Sequence, residues 1–324
     1  MQAVLCTHFC KPEELKLTDI PKPQAGPGEV LVRVKAAALN FFDTLIIAGK
    51  YQQKPPFPFS PAAEFAGIVE RIGDGVADIT AGDRVMGWMG WGAAREYVAA
   101  EPQQLVKIPE NLDFERAAGL SVTYGTSLYA LRERAQLKHG ETLAVLGASG
   151  GVGLATVELG KLMGARVVAC ASSDEKLRFT REHGADETVN YDSENLRDAL
   201  RRIGGEHGID VIYDPVGGSY AEPAIRSMAW EGRYLVVGFT AGEIPKLPLN
   251  LVLLRGCDIR GVFWGSWGKR EPQALRASLS DIAKWCAAGK LSGHVHAVYP
   301  LKEIAAAMKA IAVRTVMGKI VLQV

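Results

Sequence analysis

A glycine-rich turn is the feature of this sequence best suited to hold a nucleotide. It follows the apolar run TLAVL with the spacing G-x-x-G-G-x-G, and its glycines are Gly147, Gly150, Gly151 and Gly153. Glycines between a strand and a helix let the backbone approach a pyrophosphate, whose charge the helix N-terminus stabilises. The same spacing also suits close packing of a helix on a strand. The turn therefore indicates a dinucleotide site without establishing one.

The same turn also fits the nucleophile elbow of a serine hydrolase. Residues 147–151 read G-A-S-G-G, which matches G-x-S-x-G with Ser149 as the nucleophile. Candidates for the acid and the base follow in the required chain order: Asp210 or Asp214, then His294 or His296. However, no HGGG-type oxyanion segment precedes the turn, and an elbow does not explain Gly153, whereas a pyrophosphate site uses it. The dinucleotide site is favoured, and the hydrolase remains the alternative.

The end of the next apolar strand, in ACASSDEK, bears on the choice of dinucleotide. NAD sites usually place an acidic residue there against the adenosine ribose. Here Ser172 and Ser173 occupy the tip, whereas Asp174 and Glu175 fall in the first turn of the next helix, where the helix dipole favours them. Lys176 lies beside the hydroxyls and could pair with a 2′-phosphate, although an exposed helix lysine is the other interpretation. The pattern favours NADPH over NADH.

Two patterns of secondary structure surround these residues. From about residue 112 onwards, apolar strand patterns alternate with helical ones, which predicts a doubly wound parallel sheet of the α/β class. The first 120 residues instead contain short β-type runs separated by Pro and Gly, which predicts a partly closed antiparallel β domain. The last stretch, with a strand over 259–264, a helix over 274–289 and GKIVLQV, is too short for a domain and is expected to complete the β domain.

Composition excludes several classes of protein. Lys and Arg number 37 against 36 Asp and Glu, so the net charge of +1 gives no basic surface for nucleic acid. No uncharged apolar run is long enough to cross a membrane, and the N-terminal residues do not form a signal peptide. Five scattered cysteines fit free thiols in a reducing compartment. A cytoplasmic location is therefore expected.

Many motifs in one order closely resemble the medium-chain dehydrogenase/reductase superfamily, in its zinc-free NADPH:quinone oxidoreductase branch. The matching stretches are AALNFFDTLIIAGKY, GDRVMGW, GASGGVGLATVELGKLMGA, SSDEKL, HGADETVNY, VIYDPVGG, RYLVVGF and GKIVL. The resemblance implies a Rossmann cofactor domain over 122–260. It also implies a GroES-like catalytic domain, a partly closed β-barrel built from 1–121 and 261–324.

The resemblance also implies a set of site residues. Asn40 and Tyr51 are the catalytic candidates, with the Asn40 amide donating to a developing oxyanion. The residues expected to bind the cofactor, from pyrophosphate to 2′-phosphate to nicotinamide, are Ser149, Gly150, Gly151, Val152, Ser172, Lys176, Tyr191, Thr126, Phe239, Val262, Phe263, Trp264 and Arg314. Several quinone reductases carry a Tyr where Leu45 stands here, which leaves the acceptor pocket more apolar.

No metal site is expected. In zinc members of the superfamily a Cys-His dyad stands where this chain has Asn40 and Phe41, and a Gly-His-Glu motif stands at 62–64, which here reads Ala-Ala-Glu. The four-cysteine structural lobe of those members is absent as well. The Tyr-x-x-x-Lys pair of short-chain reductases is also missing. A quinone or an enone needs less polarisation than a simple carbonyl, because the acceptor delocalises the incoming charge.

The resulting expectation is NADPH-dependent hydride transfer to a quinone or related conjugated carbonyl. Reduction of an enoyl-CoA or 2-alkenal is the alternative within the family. The apolar strand at 259–264 matches the edge through which relatives pair two cofactor domains. Pairing there would cover an exposed sheet edge, so a homodimer is expected.

Overall fold

The computed structural model describes residues 1–324 and divides them into two units. Unit 1 consists of Met1–Gly125 and Trp267–Val324, and unit 2 consists of Thr126–Ser266. The transitions fall inside two helices, Leu120–Leu128 and Trp264–Arg270, a short way after the boundaries expected from the sequence. A sequence boundary placed at a change of pattern cannot locate a division that lies within a continuous helix.

The structure contains fifteen strands and eleven α-helices. The strands are β1 (Gln2–Leu5), β2 (Lys16–Asp19), β3 (Val30–Leu39), β4 (Glu64–Ile72), β5 (Arg84–Trp88), β6 (Tyr97–Ala100), β7 (Leu105–Lys107), β8 (Thr142–Leu146), β9 (Arg166–Ala171), β10 (Glu187–Asn190), β11 (Ile209–Asp214), β12 (Met228–Val236), β13 (Asp258–Gly261), β14 (Val295–Pro300) and β15 (Lys319–Gln323). The α-helices are α1 (Phe41–Ile47), α2 (Phe114–Ala118), α3 (Leu120–Leu128), α4 (Gly151–Leu162), α5 (Asp174–Glu182), α6 (Leu196–Gly204), α7 (Ala221–Ile225), α8 (Leu249–Arg255), α9 (Trp264–Arg270), α10 (Pro272–Ala287) and α11 (Ile304–Ala312). A π-helical segment, Tyr129–Ala135, follows α3 directly.

Unit 1 is organised around the long strand β3. Its sequence, VLVRVKAAAL, is almost wholly apolar because nearly all of its side chains are buried. The seven-stranded sheet has the order β14-β15-β3-β4-β5-β7, with β6 also paired to β3, and β1 and β2 form a separate antiparallel pair. All pairs are antiparallel except β14 with β15. The strand β15 therefore adds residues 319–323, from the other end of the sequence, to the sheet of the N-terminal β domain.

Unit 2 contains the doubly wound sheet that the sequence predicts. Its six strands have the order β10-β9-β8-β11-β12-β13, and every neighbouring pair is parallel. The central strand β8 is buried along its whole length, since helices cover both faces of such a sheet. The order changes direction beside β8, and ligands of open α/β sheets bind at this kind of switch point, beyond the carboxyl ends of the strands.

The sequence interpretation was wrong about one strand. The apolar run at 259–264 was expected to be a single strand, but β13 ends at Gly261 and α9 begins at Trp264. The neighbouring strand β12 ends at Val236, whose carbonyl accepts the last ladder bond, from Val262 N at 2.9 Å. After Val262 the chain has no strand beside it to pair with. Several other elements, among them α1, α7, α8, β14 and α11, were not predicted.

None of the helices combines the length and the apolar character that crossing a bilayer requires.

Candidate active site

The glycine turn joins β8 to α4 at the carboxyl edge of the parallel sheet. Gly147 has φ +59°, a conformation that favours glycine, and Gly150 is the N-cap of α4. The first bond of the helix runs from Leu154 N to Gly150 O, at 2.8 Å. The N–H groups of residues 151–153 precede that bond and have no acceptor within the helix. Together with the near-buried Ser149, they provide donors suited to a pyrophosphate.

The next strand ends beside this turn. The register pairs Leu146 of β8 with Cys170 of β9, so the residues after both strands emerge at the same edge. There Lys176 Nζ donates to Ser172 Oγ at 3.0 Å, while Ser173 caps α5 by accepting from Lys176 N at 3.3 Å. The structure thus brings together two of the residues predicted for the 2′-phosphate. It also places Asp174 and Glu175 in the exposed first turn of α5, as the sequence indicated.

Tyr191, Phe239 and Thr126 are three further predicted cofactor residues of unit 2. Tyr191 packs on Tyr220 with ring centroids 4.6 Å apart, a neighbour that the sequence did not suggest. Phe239 lies over Gly217, where an added Cβ would be 2.9 Å from its ring, and Gly217 has φ +67°. Thr126 lies half-buried in α3.

The stretch 262–264 was expected to act as one lining segment, but its side chains do not share an environment. Val262 and Trp264 are buried, whereas Phe263 is 54% exposed. The chain leaves the sheet here and turns into α9, so consecutive side chains no longer alternate regularly between two faces.

The catalytic candidates belong to unit 1. Asn40 directly follows β3 and is the N-cap of α1, and its N–H donates to Asp43 Oδ2 at 2.7 Å. Its amide is held by two charged side chains that the sequence analysis did not assign to the site. Lys319 Nζ donates to Asn40 Oδ1 at 2.8 Å, and Asn40 Nδ2 donates to Glu64 Oε1 at 2.9 Å. Lys319 and Glu64 are themselves paired at 2.7 Å.

Three strands converge on this buried cluster, defined as Asn40, Asp43, Glu64 and Lys319. Asn40 lies at the end of β3, Glu64 opens β4 and Lys319 opens β15. The register places Glu64 opposite Ala38, and Ile320 opposite Leu39. Glu64 is fully buried and its second oxygen accepts from Val122 N at 2.7 Å. A lysine at the start of the otherwise apolar run KIVL was the sequence signal that could have suggested such a cluster.

Two acidic groups of this region, Asp43 within the cluster and Tyr51 shortly after α1, have raised pKa values. Burial raises the pKa of Asp43 to about 7, with Glu64 adding to the rise and the Asn40 N–H and Lys319 opposing it. The pKa of Tyr51 is also raised, first by burial and then by the charge of Asp43. The Tyr51 ring stacks on Phe42 of α1, with centroids 5.4 Å apart. Tyr51 therefore packs against the first turn of α1, the helix that Asn40 caps.

The remaining predicted residue, Arg314, lies in unit 1. It is exposed and has φ +59° at the turn after α11. The glycine turn and the Lys176 pair belong to unit 2.

The hydrolase alternative receives no support from the aspartates. The Asp214 carboxylate accepts from Tyr234 Oη and from the N–H groups of Val216 and Gly217, at 2.7 and 2.8 Å. Asp210 accepts from Thr142 N and contacts His207 at the amino edge of the parallel sheet. Ser149 lies at the carboxyl edge, opposite to Asp210. Asp214 ends β11 at the same edge as Ser149, but its hydrogen bonds go to Tyr234, Val216 and Gly217 and none of them reaches Ser149.

Comparisons with known proteins identify the family of this chain. The chain matches the model "Alcohol dehydrogenase GroES-like domain" over residues 26–110 and "Zinc-binding dehydrogenase" over residues 151–281. It is 36% identical over 322 residues to quinone oxidoreductase-like protein 2 of Rattus norvegicus, covering 99% of this chain and 91% of the relative. The chain belongs to the quinone oxidoreductase branch of the medium-chain dehydrogenases/reductases.

Solved structures of related proteins have the same fold. The Escherichia coli quinone oxidoreductase complexed with NADPH superposes with a TM-score of 0.93 at 26% identity, covering 100% of both chains. An NAD-dependent alcohol dehydrogenase superposes with a TM-score of 0.92 at 33% identity, again covering 100% of both. These matches confirm the predicted combination of a GroES-like domain with a Rossmann domain. As a member of the quinone oxidoreductase branch, the chain is an oxidoreductase.

Each family model covers candidate residues of one unit only. The GroES-like match spans Asn40, Tyr51 and Glu64 of unit 1. The second match begins at Gly151, in the glycine turn, and includes the Lys176 pair of unit 2.

Proposed function

We propose that this chain is an NADPH-dependent reductase of quinones or related conjugated carbonyls. The observation that carries the proposal is the arrangement of the glycine turn and the Lys176–Ser172 pair after adjacent strands at one edge of the sheet. Unit 2 is then the dinucleotide-binding domain and unit 1 the catalytic domain. The Escherichia coli relative that binds NADPH supports the choice of cofactor.

The residues of unit 2 fit NADPH. The N–H groups at the start of α4 would hold the pyrophosphate, and Gly150 has open space where a Cβ would point, with its nearest neighbour 3.5 Å away. Lys176 and Ser172 would hold the 2′-phosphate through charge-assisted hydrogen bonds. Tyr191 would lie against the adenosine, and Thr126 and Phe239 at the nicotinamide side. When bound, NADPH supplies the hydride.

Unit 1 supplies the polar groups for the acceptor. The Asn40 amide donates a hydrogen bond to the acceptor oxygen, where negative charge develops as the acceptor is reduced. Tyr51 covers the acceptor and offers a phenol proton, which its raised pKa keeps in place at neutral pH. Arg314 would contact the cofactor, as the resemblance to related reductases implies for an arginine at this position.

The donor set of unit 1 does not fit a catalytic zinc ion. Zinc requires thiolate, imidazole or carboxylate ligands. Asn40 and Phe41 replace the Cys-His dyad, and Glu64, the carboxylate retained in the 62–64 motif, is already paired with the Lys319 ammonium at 2.7 Å. A divalent cation at Glu64 would be repelled by that ammonium. This supports a reaction without metal.

A homodimer and a cytoplasmic location are part of the proposal. The outer edge of β13 has no strand partner within the chain. Large apolar side chains are exposed on β13, on α8 and near them: Trp230, Leu249, Leu253, Leu254, Ile259 and Phe263. A second copy of the chain paired along β13 would cover them. The five cysteines are free thiols, which supports a reducing compartment.

The proposal is tested first by titrating the purified protein with NADPH and, in parallel, with NADH. We expect tight binding selective for NADPH, followed by oxidation of NADPH in the presence of 1,4-benzoquinone. Turnover of an enoyl-CoA or a 2-alkenal but not of quinones would assign the alternative acceptor. Absence of binding by either dinucleotide, together with labelling of Ser149 by a fluorophosphonate, would replace the reductase by a hydrolase.

A further inference from the structure

The ammonium of Lys319 is buried with all its hydrogen-bonding capacity in use. Lys319 is 4% exposed, and its Nζ donates to Leu39 O, Asn40 Oδ1 and Glu64 Oε1 at 2.9, 2.8 and 2.7 Å. An ammonium has three protons, so none remains for a ligand. Lys319 therefore acts only through the groups that it holds, and one of these is the proposed donor to the acceptor oxygen.

Lys319 and Glu64 together determine the orientation of the Asn40 amide. An ammonium only donates and a carboxylate only accepts, so the amide oxygen must face Lys319 and the amide nitrogen must face Glu64. The reversed amide would place its NH₂ group against the ammonium and its carbonyl against the carboxylate. Both contacts would then be repulsive, in a buried site where water screens them little.

The orientation leaves one proton of Asn40 Nδ2 without an acceptor in the cluster. One Nδ2 proton is bonded to Glu64 Oε1 at 2.9 Å, and Oδ1 is occupied by Lys319. The other proton is the only donor that the Asn40 side chain still offers. Because the ammonium polarises the amide through its oxygen, the remaining N–H is also a stronger donor.

We infer that Lys319, with Glu64, is a positioning residue that fixes the Asn40 amide with its N–H end towards the acceptor. The inference rests on the proposed function, since it concerns the donor that Asn40 provides to the acceptor oxygen. In a reversed amide the carbonyl would face that oxygen and repel the charge that develops there. Neither Lys319 nor Glu64 contacts the acceptor.

The kinetic test uses Lys319→Met together with Glu64→Gln. Lys319→Met alone would leave a buried carboxylate without its cation and destabilise the fold, whereas the double variant removes one positive and one negative charge and so leaves the net charge of the cluster unchanged. The carbonyl of the introduced glutamine then accepts from Val122 N, and its NH₂ group favours the reversed Asn40 amide. We expect kcat with NADPH and 1,4-benzoquinone to fall on the order of a hundredfold, with the Kd for NADPH unchanged.

A double-mutant cycle separates positioning from general damage. Asn40→Ala should lower kcat by a similar factor. Adding the Lys319→Met and Glu64→Gln changes to Asn40→Ala should then lower kcat by no more than about threefold, because the group that they position is gone. Losses that multiply, or a wild-type kcat in the double variant, would overturn the inference. Lys302→Met, an exposed lysine of unit 1, is the control.

A second measurement does not depend on turnover. The side-chain amide of Asn40 is observed by ¹⁵N NMR and assigned by the loss of its signals in Asn40→Ala. We expect one Nδ2 proton to exchange with solvent more slowly than the other, and this difference to disappear in the double variant. Identical amide signals in both proteins would overturn the inference. If the wild type binds NADPH but reduces no acceptor, the proposed function fails while this comparison still decides the role of Lys319.

Discussion

Gly153 lies so close to the carbonyl of Gly147 that a Cβ on Gly153 would be 2.2 Å from that oxygen. The first turn of α4 can therefore pack against the preceding loop only with glycine at this position. The same contact keeps the N–H groups of the helix at the carboxyl edge of the sheet, where the pyrophosphate is proposed to bind.

Gly153→Ala should lower the free energy of unfolding, because the backbone atoms that the methyl group meets cannot move aside without shifting the turn. We expect a loss of roughly 1–3 kcal/mol by urea denaturation. Gly150→Ala is the matched control, since its Cβ would have no neighbour closer than 3.5 Å. That variant should keep its stability and bind NADPH more weakly, because the methyl group occupies the approach to the helix N-terminus. Equal stability of the two variants would contradict the packing argument.

Lys176→Ala should reduce the preference for NADPH over NADH. Removing a charge-assisted hydrogen bond to the 2′-phosphate weakens binding of NADPH alone, on the order of tenfold. The ratio of the two dissociation constants measures the effect. Arg178→Ala removes the same charge from an exposed position on the same helix and should leave that ratio unaltered. A ratio that changes equally in both variants would show a general effect of charge instead.

Asp43→Asn should alter how stability depends on pH. The pKa of Asp43 is about 7 in the folded protein against an ordinary value of 3.8, so the folded protein retains a proton that the unfolded chain releases. The stability associated with this proton is fully present below pH 3.8 and is lost as the pH rises to 7. Between pH 5 and pH 7 the free energy of unfolding of the wild type should fall, relative to that of the variant, by roughly 2–3 kcal/mol.

The measurement is urea denaturation of both proteins across this range, with Asp74→Asn as an exposed control in the same unit. Parallel curves for the wild type and Asp43→Asn would mean that Asp43 is ionised throughout.

Leu253→Asp should convert the proposed dimer to a monomer. Leu253 is 77% exposed on α8, the helix that precedes β13 in the chain, so a carboxylate there would be buried without a partner in the proposed dimer. Light scattering of the wild type should give about twice the chain mass of 34.9 kDa, and of the variant the chain mass itself. Leu162→Asp, on an exposed part of α4, is the control and should remain dimeric. A monomeric wild type would remove the dimer from the proposal.

The order of elements in unit 2 could be predicted because its signals are local. The alternation of strands and helices, the glycine turn and the cap of α5 each depend on a few neighbouring residues. The end of β13 could not be predicted in this way, since it is determined by where β12 ends as a partner. The two catalytic candidates came from a resemblance, and their proposed roles remain predictions.

The buried cluster was harder to predict than the fold. Asn40, Glu64 and Lys319 come from three strands that are distant in the chain, and only the register of β3 with β4 and β15 brings them together. The sequence shows a lysine in an apolar strand but not the carboxylate that compensates it. Pairing between distant strands is the information that a single sequence, without an alignment, does not contain.

The position of β15 also constrains the order in which the chain can fold during synthesis. Unit 2 is one continuous stretch and can complete its sheet as soon as that stretch has left the ribosome. Unit 1 cannot, because residues 36–39 of β3 pair with β15 and Glu64 pairs with Lys319, and both partners are translated after all of unit 2. Until β15 has been synthesised, residues 36–39 of β3 have an unpaired edge and Glu64 lacks its cation, so the folding of unit 1 can be completed only after unit 2 has been translated.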